Sequence, residues 1–600
     1  MIRTFRYVVA LVWQAAPLAA CSYLVLALVA GLTPVVIAWL TKLAIDELVS
    51  GASLRMLLGL AAALVVTGVT AALIPHWNDY LRVSLGRTVG AHSLARLFTA
   101  VGRFAGLARF ENPAFQDRLR LAQQATGMSS QLVDDTQQAV RSLLIVAGFV
   151  GSLVFLSPVM IVIVLLAAVP TLVAEVALAR QRADLMWRVG PAERRETFYA
   201  QLLGGVQAAK EIRLFGFGSW LRDRMLAERR SVDQAKRVLD RRDARTQSVL
   251  SGTAALVAGG GLVWALLAAR SGGLTVGDLS MFVAAVAGVQ SGLSGTVSQY
   301  ASIHHQLLLF SHYLEVVTAP PDLPEPAGAR NVPGLREGIE LRDVWFRYSD
   351  DHPWVLRGVN LRIPHGKAVA LVGLNGAGKS TLVKLLCRFY DPTAGAIYWD
   401  GVDIRDFRPA DLRARLGAVF QDYVNYDLTA RENIAVGDLS ALADEERLVG
   451  AARLAGIHDV LEGLPRGYDT LLTRMFFSQA DKADPETGVL LSGGQWQRLA
   501  LARAFLRDRR DLMILDEPSA GLDAEAEYEL HGRIRQHRGD RTSLLISHRL
   551  AAVRDADLIV VLAEGVIAEL GDHTALIGRG ELYARLFTLQ ASGYREEAPA

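Results

Sequence analysis

The sequence predicts a helical membrane bundle followed by an α/β domain, and three observations carry that prediction. Six long uncharged runs precede residue 310, arginine is spread unevenly among the segments between them, and a glycine-rich stretch at 373–381 joins a strand pattern to a helix pattern. The chain has 600 residues, 51% of them hydrophobic, and a mean hydropathy of +0.25. That length implies several domains, and that hydropathy is high for a soluble protein of this size. The net charge of +2 is too small to suggest nucleic acid as a partner. The two cysteines, Cys21 and Cys387, cannot build a disulfide framework.

The six runs are centred near Ser22–Leu40, Met56–Ile74, Ser142–Leu156, Met160–Ala174, Thr246–Ala269 and Ser280–Gln299. A spanning helix needs about 20 apolar residues. The third and fourth runs form one charge-free stretch, Ser142 to Ala174, too long for one span and broken by Ser157-Pro158. A tight turn there gives two helices with almost no external loop.

Orientation follows from arginine. The segments Asn78–Val140 and Arg180–Arg245 are long and Arg-rich, whereas Thr41–Arg55 and Arg270–Leu279 carry only Lys42, Arg55 and Arg270. The positive-inside rule places the long segments, the N-terminus and the C-terminal half in the cytoplasm. Both long segments read as helical, so the spans are expected to continue well beyond the bilayer. The start, with Arg3, Arg6 and Leu18-Ala19-Ala20-Cys21, has the look of a lipoprotein signal. The apolar run nevertheless continues past Cys21 to Leu40, which favours an uncleaved first span, with Met1 to Gln14 an amphipathic entry helix on the inner surface. Glu175, close to the end of the fourth run, is an intramembrane functional candidate, but reads better as an interfacial residue near Arg180. His304 and His305 read as part of a helical extension, since no cysteine or carboxylate cluster accompanies them.

The Pro-rich stretch Ala319 to Pro326 marks a boundary. After it, short β-branched runs alternate with helical ones, an α/β pattern. Gly373-Leu374-Asn375-Gly376-Ala377-Gly378-Lys379-Ser380-Thr381 lies between the apolar run Ala368 to Val372 and the helical Leu382 to Leu386. Its spacing is that of a P-loop. Glycines let successive N–H groups converge on phosphate oxygens, and the helix behind adds its positive end. Lys379 can reach the β- and γ-phosphates of ATP, and the Ser380 hydroxyl can ligate Mg²⁺.

Two further stretches make the pattern specific. Leu491-Ser492-Gly493-Gly494-Gln495, followed by Trp496-Gln497-Arg498, resembles the signature of ATP-binding cassette (ABC) proteins, and Leu512 to Glu517 resembles their Walker B strand. With the six runs ahead of them, nearly the whole chain resembles an ABC half-transporter of the exporter type. The fold class is therefore expected to be six transmembrane helices with long cytoplasmic extensions plus an α/β P-loop NTPase domain. The expected boundaries are 1–315 for the membrane domain, 316–337 for a linker, 338–580 for the ATP-binding cassette and 581–600 for a tail.

The residues also have a physical reading. Ser492 can N-cap the helix that follows, whose free N–H groups and dipole suit a γ-phosphate. The resemblance implies that this helix faces the P-loop of a partner subunit, so the site is shared across a dimer. Asp516, ending an apolar strand, can hold Mg²⁺ or its water. Glu517, one residue on, can act as general base toward the attacking water. The resemblance implies that His548 is the switch histidine, Tyr348 the aromatic that stacks on adenine, and Gln421 the glutamine that reaches Mg²⁺. It also makes Ser519 to Asp523 the loop crossing the dimer interface. Phe110 to Gln116 and Lys210 to Gly216 are expected as the two coupling regions, with a solvated charged helix as the plain alternative. Between Thr470 and Leu491 the chain departs from the family pattern: Arg474 to Pro485 reads as an insertion.

The expected function is ATP-driven export of a hydrophobic or amphipathic compound (lipid, drug or peptide) by a dimer in the inner (plasma) membrane. A second copy of the chain suffices as partner, and a different partner chain remains open. The competing readings are a soluble ABC ATPase, an importer of exporter-like architecture, and a lipid flippase. No peptidase region precedes the first run, so leader-peptide cleavage is not expected.

Overall fold

The computed structural model describes residues 2–595 except 157, 327, 476–477, 485, 508–509, 520–523, 539–540 and 550–552. They form two compact units: residues 1–102 with 114–319, and residues 103–113 with 320–600.

The first unit is helical throughout. Its elements are α1 (Ile2–Ala15), α2 (Pro17–Ser50), α3 (Leu54–Val101), α4 (Pro113–Gly127), α5 (Ser129–Leu156), α6 (Pro158–Gly204), α7 (Val206–Phe215), α8 (Gly218–Arg270) and α9 (Val276–Val317). All six apolar runs fall within helices. Among the described residues, five helices are long and apolar enough to cross a membrane: α2, α3, α5, α8 and α9. The run Met160–Ala174 lies in α6, and several of its side chains are outside the described set, as are those of Glu175 and Arg180. α5 ends at Leu156 and α6 begins at Pro158; Ser157 itself lies outside the described residues.

At 1.5 Å per residue, the 48 residues of α3 and the 53 of α8 span about 70 and 80 Å, more than twice the hydrocarbon thickness. The extensions inferred from the Arg-rich segments are thus continuous with the spans. α1 buries Thr4, Val8 and Leu11 along one face, the i, i+4, i+7 stripe of an amphipathic helix.

Packing in this unit is set by close helix approach. Phe149, Leu153, Met281, Phe282, Ala285 and Val289 form its apolar centre. Gly288 lets α9 meet α5, because a Cβ there would stand 2.3 Å from the Phe149 ring. Near the other end of α2, Lys42 contacts Asp46 at 2.9 Å and Asp278 at 3.1 Å. Thr275 and Asp278 close a capping box that starts α9.

The second unit contains two sheets. One is antiparallel, in the order β2-β1-β4-β5, built from β1 (Gly338–Phe346), β2 (Leu356–Pro364), β4 (Ala394–Trp399) and β5 (Val402–Asp403). The other has the order β10-β9-β3-β8-β7-β6, from β3 (Ala368–Val372), β6 (Leu416–Val419), β7 (Leu512–Asp516), β8 (Thr542–Ile546), β9 (Leu558–Ala563) and β10 (Val566–Gly571). Its strands run parallel except β10. The five residues of β3 are all buried, as expected of a strand covered on both faces. The region read as a tail opens with a helix, Leu582–Arg595, anchored by the fully buried Tyr583.

Residues 103–113 are built into this unit. Asp322 accepts the backbone N–H groups of Ala105 (2.8 Å) and Gly106 (2.9 Å), and Arg413 donates to the Ala105 carbonyl (2.6 Å). Fully buried Arg388 donates to Asp391 (3.0 Å) and to the carbonyls of Ile404 (3.1 Å), Phe407 (2.5 Å) and Pro324 (3.2 Å). The Pro-rich boundary is thereby strapped to the body of the unit.

Candidate nucleotide site

The site sits at the carboxyl ends of the parallel strands, where open α/β sheets bind their ligands. β3 feeds the loop 373–378, β7 ends at Asp516, β8 leads to His548, and β6 leads to Gln421. Four non-adjacent stretches of sequence meet because four neighbouring strands point the same way.

The loop after β3 is shaped by glycine. Gly373 has φ +154°, and a Cβ there would lie 2.2 Å from the Leu562 carbonyl oxygen, so no other residue fits. Helix α10 (Lys379–Leu386) starts directly behind the loop, with Gly378 as its N-cap at φ +103°. Asn375, Gly376 and Ala377 complete the turn between them. The Lys379 ammonium donates to the carbonyls of Gly373 (2.8 Å) and Leu374 (3.0 Å), inside the curl of the loop. Burial pushes the Lys379 pKa down, against the pull of Glu517 and Asp516.

Asp516 is 5% exposed. Burial pushes its carboxyl up to about 6, with the neighbouring Glu517 charge adding to the rise, while Lys379 and a hydrogen bond from Ser380 pull it down. A buried carboxylate beside a hydroxyl, with excess negative charge, is a donor set that fits a hard cation such as Mg²⁺. Asp422 adds to that negative charge; the sequence alone did not single it out, although it follows Gln421 directly.

Glu517 turns its carboxylate between two partners. His548 Nε2 lies 2.8 Å from Oε1, and Gln421 Nε2 donates to Oε2 at 2.9 Å. The backbone is fixed as well: Glu517 N–H donates to the Ile546 carbonyl (2.9 Å), and Gln497 Nε2 donates to the Glu517 carbonyl (3.2 Å). This holds Glu517 at φ +51°, an uncommon conformation for a residue with a side chain. Gln497 was visible in the sequence as part of the motif, but nothing in the sequence tied it to Glu517.

Helix α11 (Gly493–Phe505) is N-capped by Ser492 through a capping box. The Gln495 N–H donates to Ser492 Oγ (3.4 Å), and the Ser492 N–H donates to Gln495 Oε1 (2.8 Å). Gly493 and Gly494 form its first turn. The Tyr348 hydroxyl lies 3.0 Å from that of Thr381 on α10. Phe346 and Tyr390 meet it edge-on, and the Lys384 ammonium lies 5.3 Å from its ring centre. Phe346 is core, while Tyr348 is partly exposed. Lys384 also pairs with Glu111 at 2.8 Å, and Tyr390 donates to the same carboxylate.

Asp523 and the rest of 520–523 lie outside the described residues, as do Phe476, Phe477 and Pro485 of the insertion. The remainder of that insertion carries a short capped helix, Gln479–Ala483. Of the two coupling stretches, Phe110 to Pro113 belongs to the second unit, and Lys210 to Phe215 lies on α7 with Leu214 and Phe215 exposed. Among the described residues no cluster of His, Cys, Asp and Glu suits a metal held by protein side chains alone.

Residues 356–520 match the family model described as ABC transporter. The chain is 42% identical over 275 residues to the ATP-dependent lipid A-core flippase of Syntrophus aciditrophicus (strain SB), which covers 46% of this chain and 43% of that protein. It is 40% identical over 320 residues to the mitochondrial potassium channel ATP-binding subunit of Xenopus tropicalis, covering 53% and 44% of the two chains. The chain spans about half the length of the curated relatives it matches. A solved structure of a bacterial Atm1-family ABC exporter with ATP bound aligns at a TM-score of 0.82 and 24% identity, over 96% of this chain and 98% of that one. At that identity the likeness is one of fold.

Proposed function

We propose that this chain, an ABC transporter ATP-binding domain fused behind a membrane domain of exporter fold, is one half of a dimeric ATP-driven exporter of hydrophobic or amphipathic compounds. The observation that carries the reading is the carboxylate of Glu517, held between His548 and Gln421 beside buried Asp516. That arrangement supports a role in water-mediated attack on a phosphate.

In this reading residues 1–315 are the membrane domain, 316–337 the linker, 338–580 the ATP-binding cassette and 581–600 a terminal segment. The loop Gly373 to Thr381 cradles the phosphates with backbone N–H groups, and Lys379 swings from its own loop carbonyls onto the β- and γ-oxygens. Tyr348 stacks on adenine. Ser380, Asp516 and Gln421 would hold Mg²⁺, which supplies charge neutralisation for the transferred phosphoryl group. Glu517 takes the proton of the attacking water, and His548 keeps the carboxylate aimed.

Ser492, Gly493, Gly494 and Gln495 cap a helix whose N-terminus serves the γ-phosphate of a nucleotide on the opposite subunit, with Asp523 crossing nearby. A second half-transporter is therefore required; a second copy of this chain meets the need. ATP that binds the closed dimer more tightly shifts the membrane domain toward its outward-open state, and only that difference in affinity can do so. The helices lie in the inner membrane with the ATPase domain on the cytoplasmic side. The test is ATP-dependent accumulation of a fluorescent amphiphile in inside-out vesicles. Uptake that is lost in Glu517→Gln supports export; uptake indifferent to ATP or to this substitution overturns it.

A further inference from the structure

The membrane unit carries an open cavity of about 700 Å³ between α2, α3, α5 and α9. Its walls are graded. The part formed by Ile37, Ile74, Phe149 and Ala284 is apolar. The part formed by the stretch Asp134 to Arg141 is polar, and the residues there follow helical spacing: Asp134, Gln137, Gln138 and Arg141 stand at i, i+3, i+4 and i+7, one stripe down one face of α5.

Within that stripe the charges have an order. Arg141 lies nearer the apolar end and Asp134 farther from it, about 10 Å apart along the axis at 1.5 Å per residue. A long helical side chain leans back toward the helix N-terminus, which carries the Arg141 guanidinium toward Asp134 and shortens that gap. Asp134 accepts the Tyr23 hydroxyl on Oδ1 at 2.8 Å, which leaves Oδ2 for another donor. Arg141 has no ion pair among the described residues. By contrast, Asp79 and Arg82, on α3 across the cavity, pair with each other at 3.3 Å.

Between the two charges sits Gln137. It is 7% exposed, and its Nε2 has no hydrogen-bond partner among the described residues. Asn78 Oδ1, across the cavity on α3, is likewise unpartnered. An unmet buried donor costs free energy that folding does not recover. These amides therefore read as waiting for groups that enter the cavity.

Resting on the export reading above, we infer that the cavity selects amphiphiles whose head carries an anionic group next to the apolar tail and an ammonium at its tip, the charge order of an amine-bearing glycerophospholipid. The tail lies among Ile37, Ile74 and Phe149. Arg141 and the Gln137 amide take the phosphate oxygens. Asp134, oriented by Tyr23, takes the ammonium. The order matters: a head with the charges reversed would set like against like at both positions.

The experiment uses the full-length protein in nanodiscs with two diazirine-tailed photoprobes, phosphatidylethanolamine and phosphatidylglycerol, which share the phosphate and differ in the amine. Labelled peptides are mapped, and ATP binding is measured on every variant to confirm that it has folded. Wild type is expected to be labelled on α3 and α5 at the cavity wall, with phosphatidylethanolamine preferred. Asp134→Asn should lower that preference roughly tenfold, the value of one hydrogen bond to a charged group, while labelling by phosphatidylglycerol persists. Arg141→Gln should reduce labelling by both probes. Equal labelling of the wild type by both lipids overturns the inference, and so does labelling confined to lipid-facing surfaces or unchanged in both variants. ATP-driven movement of probes in inside-out vesicles, blind to the head, would leave export standing and remove head selection. Selective labelling without any ATP-driven movement would do the reverse.

Discussion

His548 Nε2 stands 2.8 Å from Glu517 Oε1, and the opposite carboxylate oxygen is held by Gln421. In the proposed role of general base, a carboxylate held on both oxygens would stay aimed at one place. Glu517→Gln should cut ATP turnover by roughly 10² to 10⁴, the usual worth of a general base, while ATP binding persists. His548→Ala should slow turnover in the same direction by freeing the carboxylate. Rates in detergent, with nucleotide binding measured alongside, check both.

Removal of Mg²⁺ with a chelator should abolish hydrolysis by the wild type. Ser380→Ala should require more Mg²⁺ for half-maximal activity, because it removes the hydroxyl beside Asp516. A Mg²⁺ titration of both proteins reads the shift; superimposable curves would remove Ser380 from the ligand set.

Tyr348 is partly exposed, with T-shaped contacts to Phe346 and Tyr390. Tyr348→Ala should weaken ATP binding by about ten- to a hundredfold, taking a stacked base as worth about 1–3 kcal/mol. Tyr348→Phe also breaks the contact to Thr381 but keeps the face, so it should retain most of the affinity. A fluorescent nucleotide titration distinguishes them.

Glu111 reaches α10 from outside the ATPase half of the sequence. Partial burial works against its ionisation, but the hydrogen bonds from Lys384 and Tyr390 outweigh it and hold the carboxyl below the usual glutamate range. A depressed carboxylate contributes stability that is complete above its unfolded pKa and is lost as pH falls through the lower folded value. The Glu111–Lys384 tie should therefore be intact at neutral pH and fail only in acid. A double-mutant cycle on Glu111→Ala and Lys384→Ala should give a coupling of about 0.2–1 kcal/mol, since both side chains are partly solvated.

Arg388 is a buried charge with every partner supplied by its own unit. Arg388→Ala strands Asp391 and three carbonyl oxygens, and should cost about 3–5 kcal/mol. Thermal unfolding followed by tryptophan fluorescence should show a large drop in midpoint.

Much of this architecture is legible in the residues because its signals are local. A charge-free run of twenty residues has few options, and the spacing of Gly373 to Ser380 encodes its own backbone path. Asp516, Glu517 and His548 are readable because each ends or follows an apolar strand. The parts that sequence did not disclose depend on contacts far apart in the chain. Gln497 supports Glu517 through a backbone carbonyl, which leaves no compositional trace. Glu111 meets Lys384 across 273 positions, and no periodicity connects them. The helix 582–595 follows Gly580, a normal end signal, and only burial of Tyr583 distinguishes it from a loose tail.

The incorporation of Arg103–Pro113 into the second unit has a practical side. A truncation that begins at Pro320 would express the catalytic half without this strip. Asp322 would lose two amide donors, Arg413 a carbonyl, and Lys384 and Tyr390 their shared carboxylate. Kinetics gathered on such a fragment would describe a protein with an open wound beside Tyr348, and supplying the strip as a synthetic peptide is the remedy.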